Sequence, residues 1–128
     1  MIGDLQVMIV DDNPDICTAI EAVLEDEPWT IRTASGGEEC IKNLEDGFSG
    51  LILLDIMMPD LNGWETIREI VKRDLYHRIV ICMLTAQDNP DEGMLGIEQY
   101  VSDYITKPII PDLLIELVNL WMMSIPDN

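Results

Sequence analysis

The chain has 128 residues, 48% of them hydrophobic, with 25 Asp and Glu against seven Lys and Arg and a formal net charge of −18. That length suits one domain that buries roughly two-thirds of its unfolded surface. So acidic a balance argues against nucleic-acid binding by this domain, because phosphate contacts need clustered Lys and Arg. No apolar run reaches the roughly 18 residues of a membrane helix, and the opening MIGDLQ lacks a signal-peptide pattern, so a cytoplasmic location with no membrane contact is expected.

Strand and helix patterns alternate along the chain. Leu5 to Val10 reads as the first strand, after which Asn13 and Pro14 supply an N-cap and a first-turn proline. The helix they open carries Ile16, Ile20, Val23 and Leu24 on one face. Trp29 to Ala34 is a second, mixed strand suited to a sheet edge. Ser35 is positioned to cap a helix from Gly36 to Asp46, whose first turn holds Glu38 and Glu39 where the helix dipole favours them. Leu51 to Ile56 is apolar on both faces, as a central parallel strand should be.

Met57 to Gly63, MMPDLNG, is loop chemistry before a helix from Trp64 to Asp74. Ile79 to Leu84 is another continuous apolar strand, and a helix is expected over Asp91 to Tyr100 after the loop Ala86 to Pro90. A short strand near Ser102 to Ile105 and a helix from Asp112 to Met123 complete the set. Units of this kind imply an α/β fold with a parallel sheet between two helical layers. One domain is expected over residues 1–128, structured to about residue 123, with 124–128 as a tail or the start of a linker.

The final helix is apolar almost all round. Leu114, Leu117, Val118, Trp121 and Ile125 make one face, Leu113, Leu120, Met122 and Met123 widen it, and Asp112, Glu116 and Asn119 leave a narrow polar stripe. Burial explains part of this; a patch open to a partner, or a homodimer through this helix, is the alternative for the rest.

Cys17, Cys40 and Cys82 lack metal-type spacing and read as small buried apolar residues. His77, the only histidine, has no partner cluster and reads as a loop residue. The chemistry lies where the apolar strands run out. Asp11 and Asp12 follow VMIV, Asp55 follows LILL, Thr85 follows IVICML, and Lys107 follows DYIT. Carboxyl ends of strands in an open parallel sheet converge on one crevice, where ligands bind. After Arg78 the chain has eight Asp and Glu but one basic residue, Lys107, which makes that lysine conspicuous.

Three gathered carboxylates repel one another and recruit a counter-ion, and hard oxygen donors open to water suit Mg²⁺ or Mn²⁺ together with phosphate oxygens. A calcium loop starting at Asp11 fails, because Ile16 stands where Gly is needed, Ala22 where Glu is needed, and Pro14 starts a helix. There is no Gly-rich phosphate loop, and Met57 stands where a paired-aspartate phosphatase would have its second acid.

The acidic pair in IVDDNPD, the segment LILLDIMMPDLNGWE, the MLTA stretch and DYITKP, in this order and spacing, resemble a response-regulator receiver domain of the chemotaxis-regulator kind. The resemblance spans nearly the whole chain and implies a flavodoxin-like (βα)5 sandwich with strand order 2-1-3-4-5. It implies that Asp55 accepts a phosphoryl group from a histidine kinase, a phosphotransfer protein or a small phosphodonor. Asp12, Asp55 and the Met57 backbone carbonyl would hold Mg²⁺, with Asp11 acting through water. Lys107 and Thr85 would bind phosphoryl oxygens, and the Lys107-Pro108 peptide would be cis. Thr85 and Tyr104 would form the switch, altering the face made by the last strand and the helices beside it, while Met57 and Gln87 would tune the phosphate lifetime.

The resemblance further implies an output domain or target protein that the sequence does not identify. It implies no enzyme in the usual sense, only self-catalysed phosphorylation and dephosphorylation. Two other readings stay open at this level: a receiver-like scaffold that signals by binding alone, and a Mg²⁺-dependent phosphatase.

Overall fold

A computed structural model describes residues 5–86 and 97–125. Five parallel strands form one sheet: β1 (Gln6–Val10), β2 (Thr30–Ala34), β3 (Gly50–Asp55), β4 (Ile79–Thr85) and β5 (Asp103–Thr106), in the order β2-β1-β3-β4-β5. Four α-helices are described: α1 (Pro14–Leu24), α2 (Gly37–Glu45), α3 (Gly63–Lys72) and α4 (Pro111–Ser124).

The order follows from apolar content. Every residue of β3 is buried, so β3 lies at the centre, whereas β2 and β5 are partly exposed and take the edges. Period-2 alternation then divides the side chains between two cores. Met8, Val10, Ile52, Leu54, Ile81 and Met83 pack beneath α2 and α3 with Trp64, Ile67 and Ile70. Val7, Ile9, Leu51, Leu53, Cys82 and Leu84 pack beneath α1 and α4 with Ile20, Leu24, Leu114 and Val118. The three cysteines are free and buried, in keeping with their reading as small core residues.

Element starts are where expectation and structure part. Asn13 caps α1 as expected, its side chain accepting from the Asp15 backbone N–H. Ser35 does not cap α2. Gly36 is the N-cap, in extended backbone and with no side-chain cap bond, which leaves Ser35 one residue too far out. The Ser35 backbone N–H and hydroxyl instead donate to the Glu39 carboxylate at 2.8 and 2.9 Å. Helix α3 starts at Gly63, one residue before the expected Trp64, and ends at Lys72; two residues on, Asp74 has a left-handed φ of +57°, which a right-handed helix cannot continue through.

 Asp60, in the loop before α3, has a left-handed φ of +66°.

Helix α4 begins at Pro111, a first-turn proline like Pro14, and runs to Ser124, with Ile125 buried beyond it. Of the helix expected over Asp91 to Tyr100, residues 91–96 lie outside the described residues, and Glu98–Tyr100 is a single 3₁₀ turn. Strand β5 starts one residue later than expected, so Thr106 is its last residue and Lys107 follows directly. Among the described residues, no helix is long and apolar enough to cross a membrane.

Candidate phosphoryl-acceptor site

Three strands end together. Asp55 closes β3 and Thr85 closes β4, while Asp11 and Asp12 follow β1. The Asp11 backbone N–H donates to the Ala34 carbonyl at 3.1 Å, tying the end of β1 to β2. The Lys107 backbone N–H donates to the Thr85 carbonyl at 2.7 Å, fixing the lysine beside β4. The Lys107-Pro108 peptide is cis.

Adjacent acids in the sequence have opposite surroundings. Asp11 is buried, and its two carboxylate oxygens accept from the Asn13 backbone N–H at 2.9 Å and from Lys107 Nζ at 3.1 Å. Asp12 is exposed. Asp55 is 5% exposed and accepts from Lys107 Nζ at 3.3 Å. Each of the three acids offers one carboxylate oxygen within 4.8 Å of the others. Thr85 is buried at the end of β4, and Tyr104 in β5 is half-buried, in register with Met83. Met57 is an exposed loop residue two positions after Asp55, and Gln87 lies outside the described residues.

Electrostatics follow from that packing. Burial pushes the Asp55 carboxyl up to about 6, and the Asp11 charge adds to the rise. Lys107 and the Met57 backbone hydrogen bond oppose it without cancelling it. For Lys107, burial works against the charged form, but Asp55 and Asp11 outweigh it and the ammonium titrates above its ordinary value. The lysine is therefore charged at neutral pH and shared between two carboxylates. A groove of about 500 Å³ opens beside Asp11 and Asp12, bordered by Pro14, Thr18 and Glu21 of α1.

Sequence reasoning misses three contributors. Gly63 packs the first turn of α3 against the acceptor itself: a Cβ there would lie 2.6 Å from the Asp55 carbonyl oxygen and 2.9 Å from Ile56 Cα. Asn62 and Glu65 form a reciprocal capping box, with the Asn62 side chain accepting from Glu65 N–H and the Glu65 carboxylate accepting from Asn62 N–H. An N-cap residue followed three positions later by Glu is a readable signal for that box. The Cys17 thiol donates to the Asp11 carbonyl at 3.6 Å, a contact that no spacing rule announces.

The family model for the response regulator receiver domain matches residues 7–119. The chain belongs to this family. This receiver domain is 38% identical over 106 residues to the alkaline phosphatase synthesis transcriptional regulatory protein PhoP of Bacillus subtilis, covering 83% of this chain and 43% of that protein. The receiver thus spans less than half the length of that relative. A CheY-like response regulator receiver domain protein from Methanospirillum hungatei is 46% identical, with a TM-score of 0.88 over 94% of this chain and 95% of the other. The chemotaxis protein CheY4 of Vibrio cholerae, 24% identical with a TM-score of 0.79 over 91% of this chain and 98% of its own, shares the fold. The chain is a receiver domain of two-component response regulators, with a flavodoxin-like parallel sheet.

Proposed function

We propose that Asp55 is the phospho-acceptor of this receiver domain. The observation that carries the reading is one carboxylate, at the end of the central strand, 3.3 Å from Lys107 Nζ and clustered with Asp11 and Asp12. An Asp55 carboxylate oxygen attacks the phosphorus of a phosphohistidine on a kinase or phosphotransfer protein. The N–P bond breaks as the O–P bond forms, the imidazole leaves, and an aspartyl phosphate results. Water later attacks the same phosphorus and returns the carboxylate, so the domain catalyses only its own phosphorylation and dephosphorylation and is not an enzyme with a separate substrate.

The donor set suits Mg²⁺ or Mn²⁺: hard carboxylate oxygens, one of them on exposed Asp12, lie close enough to share an ion. Asp12, Asp55 and the Met57 backbone carbonyl would hold it, with Asp11 acting through water because Lys107 and Asn13 already occupy its oxygens. When bound, the ion neutralises charge on the phosphoryl oxygens. Lys107 pairs with one phosphoryl oxygen and the Thr85 hydroxyl donates to another. Tyr104 turns inward as Thr85 moves, and Met57 and Gln87 set how long the phosphate lasts. A charged hydrogen bond contributes about 1.5–3 kcal/mol, and taking an equilibrium from 1:99 to 99:1 needs about 5.5 kcal/mol, so Lys107 and repacking share the bias with Thr85. A cytoplasmic histidine kinase pathway supplies the phosphoryl group, and an output domain or target protein reads the face around β5.

Incubation with acetyl phosphate and Mg²⁺ followed by intact mass tests the assignment. One phosphoryl group should add about 80 Da. Equal labelling of the Asp55→Asn variant would remove Asp55 from the role.

A further inference from the structure

Five large apolar side chains are exposed among the described residues. Ile110, Leu113, Leu120 and Met123 belong to α4 or to its N-cap. The fifth, Met57, is 76% exposed and lies in the loop that follows the acceptor strand β3. Its neighbour Met58 is 8% exposed and packs into the core beneath α2 and α3. The loop thus sends one methionine inward, where its burial stabilises the fold, and leaves the other in water, where it adds nothing to packing.

The Met57 backbone N–H donates to the Asp55 carboxylate, which brings the Met57 thioether within one side chain's reach of the proposed acceptor. A thioether sulfur is a weak hydrogen-bond acceptor, and its sulfoxide is a strong and polar one. Exposure decides which methionines can change. Met8, Met83 and Met122 are as enclosed as Met58, so an oxidant dissolved in water meets Met57 and Met123 first. A sulfoxide at Met58 would disrupt the core; at Met57 it leaves the core intact and alters only the surroundings of the acceptor. The thiols of Cys17, Cys40 and Cys82 compete poorly, because all three are buried and burial raises them away from the reactive thiolate.

We propose that Met57 is a redox-sensitive modification site, at which hydrogen peroxide converts the thioether to the sulfoxide and so shortens the life of the Asp55 phosphate. The sulfur lone pair attacks one peroxide oxygen, the O–O bond breaks, and proton transfer leaves the sulfoxide and one water. Sulfur gives up two electrons and the peroxide takes them. The new oxygen accepts a hydrogen bond from the water that attacks phosphorus and holds that water over the acceptor. The inference rests on the phospho-acceptor reading and deepens it by naming an input other than the kinase.

The test treats the full chain with hydrogen peroxide, removes the excess with catalase, labels with acetyl phosphate and Mg²⁺, and then removes the donor. Intact mass follows loss of the added phosphoryl group, about 80 Da, and peptide mapping locates each added oxygen, about 16 Da. Met57 and Met123 should oxidise before Met8, Met58, Met83 and Met122. The oxidised chain should lose its phosphoryl group about three- to tenfold faster than the untreated chain, the span of one added neutral hydrogen bond in the transition state. Met57→Leu should lose it at one rate before and after peroxide, whereas Met123→Leu should keep the full response. Met57→Gln, whose amide oxygen stands in for the sulfoxide oxygen, should lose it faster than Met57→Leu with no peroxide present.

Oxidation of Met57 with no change in lifetime would overturn the proposal. An equal response in Met57→Leu would also overturn it and move the sensitive group elsewhere, Cys17 first. Oxidation of Met58 as fast as Met57 would trace the effect to an opened core, with the same consequence. Failure of the untreated chain to label would overturn the phospho-acceptor reading and this inference with it; normal labelling with an unresponsive lifetime overturns this inference alone.

Discussion

The middle of strand β3 and its last residue have opposite designs. Gly50 to Leu54 are buried with only backbone polarity to satisfy, and they fill two cores. Asp55 is buried too, yet it is an acid beside a second acid, held by one shared lysine. The first region stabilises the fold and has no chemistry. The second carries the proposed chemistry at a cost in stability, which the apolar interior offsets.

The largest separation between the two regions comes from the core. Leu53→Ala should destabilise by about 2–5 kcal/mol in urea titration, while the folded fraction labels at the unaltered rate. Slower labelling per folded molecule would blur the contrast. Lys107→Ala should act on the chemistry itself, cutting the acetyl phosphate labelling rate per folded molecule about a hundredfold, as expected for loss of a charge-stabilising donor.

Asp55→Asn sharpens the stability cost. In metal-free protein it should raise stability at neutral pH by on the order of 3 kcal/mol, from the displacement of the Asp55 carboxyl to about 6. A raised carboxyl holds its proton in the folded chain where the unfolded chain has lost it. The Asp55 contribution to stability therefore falls as pH rises from about 4 to about 6, and is constant above that window. The excess stability of Asp55→Asn should accordingly grow across this range in paired denaturations with chelator present. A constant excess would disprove the raised value. The smallest effect is expected from Asn62→Ala, which removes the α3 cap for about 1 kcal/mol and leaves the labelling rate nearly unaltered.

Much of this was legible in the chain. Apolar runs locate β1, β3 and β4 because strands buried on both faces have no polar alternation. Asn13 and Pro14 announce α1 because their preferences are local. Ser35 misleads because capping depends on which residue enters the helix first, and Gly36 intervenes in extended backbone. Asp11 and Asp12 are chemically identical neighbours, and nothing local says that the first is buried with both oxygens occupied. That difference depends on Lys107, 96 positions away.

By itself, the sequence determined the alternation of strands and helices, the central strands, and which five polar residues stand at or just beyond the strand ends. Those features depend on side-chain polarity at short range. Only the tertiary structure decided that Lys107 is shared by Asp11 and Asp55, that Gly63 must lack a side chain, and that α4 keeps an apolar face open. Each of these depends on distances between segments far apart in the chain, and such distances exist only once the sheet has assembled.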